Sequence, residues 1–391
     1  MLRLIILITF LESFVTAMVE RGVAFYAEDQ LHFSQSENLW LALLFGGAYV
    51  AGAMGSHRCA HALGERCWLV IMIVGHVLMH LGLALEPGWE MVFVFNTVLG
   101  ALSGSKWPII ESYVSAGLTP KQSATAVGHF NLAWSLSVVP AVALGGLLIE
   151  TWAPSLFLLP AIINAGVLFL IFRLPKCPTH LDDDHPERPT ETQGIRLRSL
   201  LYSSRWSMFG SYTLMFLLAP LLPYIFKERL DMTPGPAMAL ISLIDLARLL
   251  TFAAMQRYTG WHGRRSLLIW TAVLMPTGFL MILAGADLYT ILIGELLFGL
   301  AAGLTYYAAL YYAMVMKNAA VEAAGAHEGI IGLGFVIGPA LGIGGVALTG
   351  VVGTATGAML VASGPFLAVC GAGALWSLRS AADGDRMQFP D

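Results

Sequence analysis

Long apolar stretches make up most of the chain, and short polar connections separate them. A helix needs about 20 apolar residues to cross a bilayer, and twelve stretches meet that requirement. They cover residues 4–27, 39–56, 67–85, 91–115, 122–149, 153–174, 206–227, 236–256, 265–284, 289–316, 323–349 and 355–378. The pattern therefore predicts an all-α membrane protein with twelve transmembrane helices in two six-helix bundles.

One long hydrophilic segment interrupts this pattern near the middle of the chain. It carries the run Asp182-Asp183-Asp184 and several arginines. We therefore expect an N-terminal bundle over residues 1–175, a cytoplasmic linker over 176–205 and a C-terminal bundle over 206–391.

The two predicted bundles also resemble each other in sequence. Gly64 corresponds to Gly263 and Pro140 to Pro339 at the same offset along the chain. Because glycine and proline are tied to particular backbone geometries, a shared register predicts a shared backbone path. Two similar halves in a membrane chain are typical of a transporter whose binding site lies between them.

Composition supports this class and excludes several others. Apolar residues make up 57% of the 391 and charged residues 12%, whereas soluble domains carry about 25% charged residues. No phosphate loop, dinucleotide fingerprint or nucleophile elbow is present, so we expect neither an enzyme nor a cofactor. Two groups of potential metal ligands lack standard zinc spacing, so we predict no metal site. The first group is His57, Cys59, His61 and Cys67, and the second is His180 with Asp182 to Asp184 and His185.

The positive charges predict the orientation. Sixteen of the twenty-one lysines and arginines fall on the side that holds both termini, and only Lys227 and Arg229 fall in loops on the other side. By the positive-inside rule both termini are cytoplasmic, in an inner or plasma membrane. The net charge of −4 averages the two faces, and no basic tract indicates nucleic-acid binding.

Two short basic connections carry a family resemblance. Gly64 and Arg66 follow the second predicted helix, and Gly263-Arg264-Arg265 follows the eighth. Two parallel six-helix halves with such turns resemble the major facilitator superfamily over essentially the whole chain. The resemblance implies secondary transport by alternating access, with these loops bracing one bundle against the other.

Other positions depart from the proton-linked exporters of that family. Asn96 stands where those exporters have an arginine in helix 4, and its repeat partner is Glu295. The Gly338-Pro339 run lies in helix 11 rather than helix 5. The direction of transport therefore stays open.

Charged residues inside the predicted helices mark the candidate site. A charge at bilayer depth costs about 2.5–3.5 kcal/mol, so it is kept when it is paired, solvated or functional. Helices 3, 6, 9 and 12 hold none in their interiors, and the resemblance implies that these four face lipid. Candidate substrate or coupling residues are Glu12, Glu20, Arg21, Lys106, Glu111, Asn131, Trp134, Asp245, Arg248, Glu295, Tyr307 and Tyr311.

Several of these residues have alternative roles. Asp245 and Arg248 are three apart on one helix, so they form either a functional or a structural pair. Lys106 suits an anionic group of the solute or a carboxylate such as Glu12 or Glu20. Both of these glutamates are candidate proton carriers.

The aromatic and gating candidates also have alternative roles. Tyr307 and Tyr311 share a helix face and either line the cavity or pack in the interior. His327 and Glu328 form a gate or proton relay, or a capping and packing pair. The gating and loop set is Gly64, Arg66, Gly263, Arg264, Arg265, His327 and Glu328.

These observations predict a secondary active transporter of a small organic solute, coupled to protons and working by export or exchange. Arg21, Lys106 and Arg248 favour an anionic or zwitterionic solute. We expect a functional monomer whose partners are the solute, protons and the lipid bilayer, without nucleic acid. The alternatives are a proton-driven uptake symporter, a non-transporting sensor or scaffold, and a lipid scramblase.

Overall fold

A computed structural model describes residues 1–85, 88–118, 120–178, 191–317 and 321–379. Within these ranges the chain forms twelve long helices and no strand, which agrees with the predicted fold class. The helices are α1 (Leu2–Leu31), α2 (Gln35–Leu63), α3 (Glu65–Ala84), α4 (Trp89–Ser115), α5 (Pro120–Trp152), α6 (Ser155–Ile171), α7 (Glu191–Leu218), α8 (Pro234–Arg257), α9 (Arg265–Ala284), α10 (Leu288–Lys317), α11 (Val321–Val352) and α12 (Ala355–Arg379).

The lengths and apolar composition of these helices suit a membrane. In the described part of the chain, nine helices are long and apolar enough to cross a bilayer, or ten if one bent pair counts as a single span. The bent pair consists of Leu197–Leu218 and Leu222–Arg229, whose axes are bent by 54° relative to each other. A multi-pass membrane protein is therefore the consistent interpretation.

The seventh helix differs from its predicted bounds at both ends. It begins at Glu191, inside the stretch predicted as a linker, because arginines such as Arg198 favour helix and prolong it beyond the apolar run. It ends at Leu218 rather than near 227, since Pro220 and Pro223 lack the N–H that a continuous helix requires. Residues 179–190 of the expected linker, with the Asp182 run and His180, lie outside the described residues.

The turn between α1 and α2 is fixed by a capping box. The Ser34 hydroxyl accepts a hydrogen bond from the Glu37 backbone N–H at 3.3 Å, and the Glu37 carboxylate accepts one from Ser34 N–H at 2.7 Å. Such reciprocal bonds satisfy helix donors that would otherwise lack partners. We call this end of the molecule the α1–α2 end, and the opposite end, which holds Gly64, the α2–α3 end.

Two helix pairs hold the halves together, α2 with α11 and α5 with α8. Both contacts bring backbones very close. A Cβ added to Gly46 would lie 2.3 Å from the Phe335 carbonyl oxygen, and one added to Gly146 would lie 2.3 Å from the Pro234 carbonyl oxygen. Small residues at these crossings permit the tight packing that membrane helices rely on.

At the α1–α2 end the halves are also joined by hydrogen bonds. The Tyr224 hydroxyl donates to the Phe33 carbonyl at 2.5 Å and accepts from Asn38 Nδ2 at 3.0 Å. Lys227 Nζ lies 2.9 Å from the Glu28 carboxylate across the same boundary. We call the Tyr224, Phe33 and Asn38 group the Tyr224 latch, because it closes the cleft between the halves at this end.

Candidate functional site: a charged cavity between the two halves

A cavity of about 140 Å³ lies between the two halves. Helices of both halves line it. Its charged side chains are Glu20, Arg21, Glu111, Arg248 and Glu328, and its aromatic side chains are Tyr49, Trp107, Phe130, Trp134, Tyr212, Phe216, Tyr306 and Phe335.

The two cavity arginines differ in how they are held. Arg248 is paired with Asp245 one turn earlier on α8, as predicted, and its guanidinium lies 4.6 Å from the centre of the Trp134 ring. Arg21 makes no ion pair or hydrogen bond with any described residue. Arg21 is thus the cavity cation that retains its full hydrogen-bonding capacity for a ligand.

The cavity carboxyl groups form one cluster that spans both halves. Glu111 on α4 and Glu328 on α11 are hydrogen-bonded through their carboxyl groups. The Tyr49 hydroxyl donates to Glu328 as well. Glu20 lies near Lys106, Arg21 and Glu328 without a hydrogen bond among the described residues.

Lys106 lies behind the cavity wall rather than in it. Its Nζ is 2.9 Å from the Glu12 carboxylate and 2.8 Å from Thr16 Oγ1, and neither Lys106 nor Glu12 is exposed. Of the two carboxylates considered for this lysine, Glu12 is the partner. Direct access of a solute to Lys106 would require the wall to move.

Two buried histidines extend this polar group into α3, and sequence reasoning missed them. His76 Nδ1 donates to the Met72 carbonyl at 2.8 Å, so its Nε2 is free to accept from Ser103 Oγ at 3.2 Å and lies 3.5 Å from Lys106 Nζ. The His80 ring is 5.8 Å from that of His76. The available signal was the spacing of the two histidines, one turn apart in an otherwise apolar helix expected to face lipid.

The tyrosines of α10 are divided between cavity and packing. Tyr306 lines the cavity, with its ring 5.2 Å from that of Trp134. Tyr307 and Tyr311 instead pack around Trp261, at ring distances of 5.8 and 5.0 Å. The packing interpretation therefore describes the two predicted tyrosines, and the neighbouring Tyr306 occupies the cavity position.

Three further candidates are buried outside the cavity lining. Asn131 accepts a hydrogen bond from Trp134 Nε1 at 3.2 Å and so orients that ring. Neither carboxyl oxygen of Glu295 has a hydrogen-bond partner among the described residues. His327 packs its ring against Tyr306 at 4.8 Å, and its ring nitrogens likewise have no described partner.

Two of the loop residues make hydrogen bonds that tie together elements of their own half. Arg66 Nη1 donates to the Leu174 carbonyl at 2.9 Å and ties α3 to the end of α6. Gly263 N–H donates to the Tyr312 hydroxyl at 3.0 Å. Gly64 and Gly263 both have positive φ, 84° and 71°, which only glycine adopts readily.

The remaining two loop arginines lie at the same α2–α3 end. Arg264 is exposed and Arg265 is partly buried at the start of α9. Their positions are compatible with a cytoplasmic loop and do not place them in the cavity.

A second cavity, of about 50 Å³, lies toward the α1–α2 end. Glu20, Arg21, Phe216 and Phe335 line both cavities. The Phe216 and Phe335 rings are stacked, with centroids 3.4 Å apart. These stacked rings separate the central cavity from the space beneath the Tyr224 latch.

Comparisons with known proteins agree with this architecture. The chain aligns with the human organic anion transporter MFSD10 (TETRAN) with a TM-score of 0.63 and 16% identity, covering 95% of this chain and 98% of that one. The nucleoside transporter NupG aligns with a TM-score of 0.67 and 13% identity, covering 97% of this chain and 99% of that one. A bacterial homologue of the human lysosomal transporter Spinster aligns with a TM-score of 0.68 and 14% identity, covering 99% of this chain and 98% of that one.

At such low identity these structures establish the shared fold alone. No curated protein matches the chain. The family model of the Major Facilitator Superfamily matches residues 5–216, more than half of the sequence. The chain therefore belongs to the major facilitator superfamily.

Proposed function

We propose that this protein is a secondary active transporter that moves a small anionic or zwitterionic organic solute by alternating access, coupled to protons. The observation that supports this most is the cavity between the halves, in which Arg21 and Arg248 face three glutamates among aromatic rings. A protein that served only as a scaffold would have little reason to keep such costly charges inside the membrane.

The chemistry of the wall favours an organic anion. Arg21 is free to form charge-assisted hydrogen bonds with a carboxylate, sulfonate or phosphate, and a planar guanidinium suits such groups. Trp107, Trp134 and Tyr306 offer ring faces and edges for an apolar or aromatic body. One protein of similar fold is an organic anion transporter and another transports nucleosides, which favours an organic solute here.

Alternating access is supported by the arrangement of contacts between the halves. The Tyr224 latch closes one end of the cleft, and the α2–α11 and α5–α8 crossings lie beside the cavity. Rocking of one bundle against the other about these crossings would break the latch and expose the cavity at the α1–α2 end. In the orientation predicted from the positive charges, that end faces outward.

Proton coupling is proposed because carboxyl groups line the same space as the arginines. A carboxyl group that binds a proton in one conformation and releases it in the other links proton movement to solute movement. Export or exchange follows if the proton and the solute bind in opposite phases of the cycle, since each then leaves before the other enters.

The first experiment is a screen of the purified protein for solutes that raise its melting temperature, because a ligand that binds only the folded state stabilises it. We expect hits among small organic anions or zwitterions, and each hit is then tested in proteoliposomes for solute counterflow and for uptake driven by a pH gradient. Stabilisation by cations or neutral solutes alone, or hits that never cross the membrane, would contradict the proposal.

A further inference from the structure

We propose that the Glu111 and Glu328 carboxyl groups form the binding site for the coupling proton, and that this single proton holds the two halves together near the α2–α3 end. The proposal rests on the proposed transport function and assigns its coupling site. It places the proton between α4 of one half and α11 of the other.

The contact between the two acids is the first step of the argument. Two carboxyl groups can hydrogen-bond to each other only when one of them carries a proton, because ionised carboxylates are acceptors alone. The Glu328 carboxylate accepts from the Tyr49 hydroxyl and is also hydrogen-bonded to the Glu111 carboxyl group. One proton is therefore shared by the two acids, and Glu111 Oε2 has no hydrogen-bond partner among the described residues.

The second step is that no cation substitutes for this proton. Neither Glu111 nor Glu328 forms an ion pair with a described lysine, arginine or histidine, and the nearby Lys106 is bound to Glu12. The titratable and charged groups that face the pair come from six helices: Glu20 and Arg21 on α1, Tyr49 on α2, Lys106 on α4, Tyr212 on α7, Arg248 on α8 and Tyr306 on α10. His327, next to Glu328 in sequence, packs on Tyr306.

The third step concerns what happens when the proton leaves. Two carboxylates in contact within a poorly hydrated site repel each other strongly. That repulsion acts directly between α4 and α11 and drives the halves apart near the α2–α3 end. The Tyr224 latch at the other end joins a hydroxyl, an amide and a carbonyl, which do not change charge in this step.

Loss of the proton would therefore open one end of the molecule selectively. Both carboxyl groups line the central cavity, so the released proton enters the space that the solute uses. A solute anion at Arg21 and the dianionic pair would repel each other, so binding of the solute and binding of the proton are thermodynamically linked.

The test measures distance rather than transport and needs no solute. The four native cysteines are first replaced by serine or alanine; they are Cys59, Cys67, Cys177 and Cys370. Spin labels are then placed at His57→Cys on α2 and Tyr258→Cys after α8, both exposed positions at the α2–α3 end. Electron–electron resonance distances are recorded over a pH series on the purified full chain. We expect the two labels to move apart as the pH rises.

The Glu111→Gln and Glu328→Gln variants should remain at the short distance at every pH, because an amide keeps a hydrogen bond but cannot titrate. Glu90→Gln, an exposed glutamate at the start of α4, is the matched control and should behave as the parent protein. Melting temperature and gel filtration identify a variant that does not fold. If one glutamine variant does not fold, the label distances of the other one test the proton site.

A parent protein whose label distance ignores pH, or two glutamine variants that still open with rising pH, would overturn the proton site. Counterflow of a solute identified by the melting screen is measured separately in proteoliposomes. If the parent fails in that assay while its label distances follow pH as expected, the transport proposal fails and the proton site stands.

Discussion

Lys106 Nζ lies 2.9 Å from the Glu12 carboxylate inside the N-terminal half, and neither side chain is exposed. Burying both ions removes their hydration, so the pair itself adds little net stability. Removing one partner is different, because it leaves an uncompensated charge in a low-dielectric interior, at a cost of about 3–5 kcal/mol.

We therefore predict that Lys106→Ala markedly lowers the melting temperature and the yield of folded protein. The double variant Lys106→Met with Glu12→Leu should recover most of this loss, because two apolar side chains fill the space without a charge. The exposed Lys176→Ala serves as the control and should melt like the parent protein. Equal losses in the single and double variants would show that packing, rather than charge, dominates at this site.

The fold was largely predictable because its main signals are local. Apolar runs long enough to cross a bilayer predict the helices, and the matching positions of Gly64 and Gly263 predict the repeated turns, both of which have positive φ. The start of α7 was not predictable in this way. A count of apolar residues places the start of this helix where the apolar run begins, whereas the helix extends back through the preceding polar residues to Glu191.

The site was predictable only in part, because lining a cavity is a tertiary property. Spacing alone predicted the Asp245–Arg248 pair, since both lie on one helix face. The contact between Glu111 and Glu328 joins residues far apart in sequence and depends on how the halves meet. Tyr306 and Tyr307 differ by one position, yet Tyr306 faces the cavity while Tyr307 packs on Trp261, and that division depends on tertiary packing.

The native cysteines offer a direct test of orientation. Cys67 and Cys177 are exposed at the α2–α3 end, Cys59 is partly buried near it, and Cys370 is buried in α12. If this end is cytoplasmic, an impermeant maleimide should leave the unmodified protein unlabelled in intact cells and label it after permeabilisation. A cysteine at Tyr289, which is 79% exposed at the opposite end, should react in intact cells. Labelling of the native cysteines from outside would reverse the predicted topology.

The Tyr224 latch should control access to the second cavity. Tyr224→Phe removes two hydrogen bonds between the halves, each contributing about 0.5–1.5 kcal/mol. A combined loss of about 1–3 kcal/mol corresponds to an increase of about 5- to 150-fold in the open population. We expect that increase in the maleimide reaction rate of Ala42→Cys, a residue lining that cavity.

The labelling is done on purified protein in a background without the native cysteines, so it does not depend on orientation. Tyr258→Phe removes a hydroxyl from an exposed ring at the other end and should leave the rate of Ala42→Cys unchanged. A rate that stays constant in Tyr224→Phe would mean that the latch does not limit opening.

The two cavity arginines should respond differently to neutralisation. Arg21 is free of ion pairs among the described residues, so Arg21→Gln should fold normally. It should weaken binding of an anionic solute about tenfold or more, because a hydrogen bond to a charged group contributes about 1.5–3 kcal/mol. Arg21→Lys should restore only part of the affinity, because lysine cannot present two parallel donors.

Arg248→Gln removes the partner of a buried carboxylate and should lower the melting temperature before any effect on solute binding is seen. Adding Asp245→Asn should recover the stability, since the remaining amides carry no charge. Solute titrations followed by calorimetry and melting curves on the same samples separate the two effects. A normal affinity in Arg21→Gln, together with a specific loss of affinity in the stable Asp245→Asn and Arg248→Gln double variant, would assign the anion site to Arg248 instead.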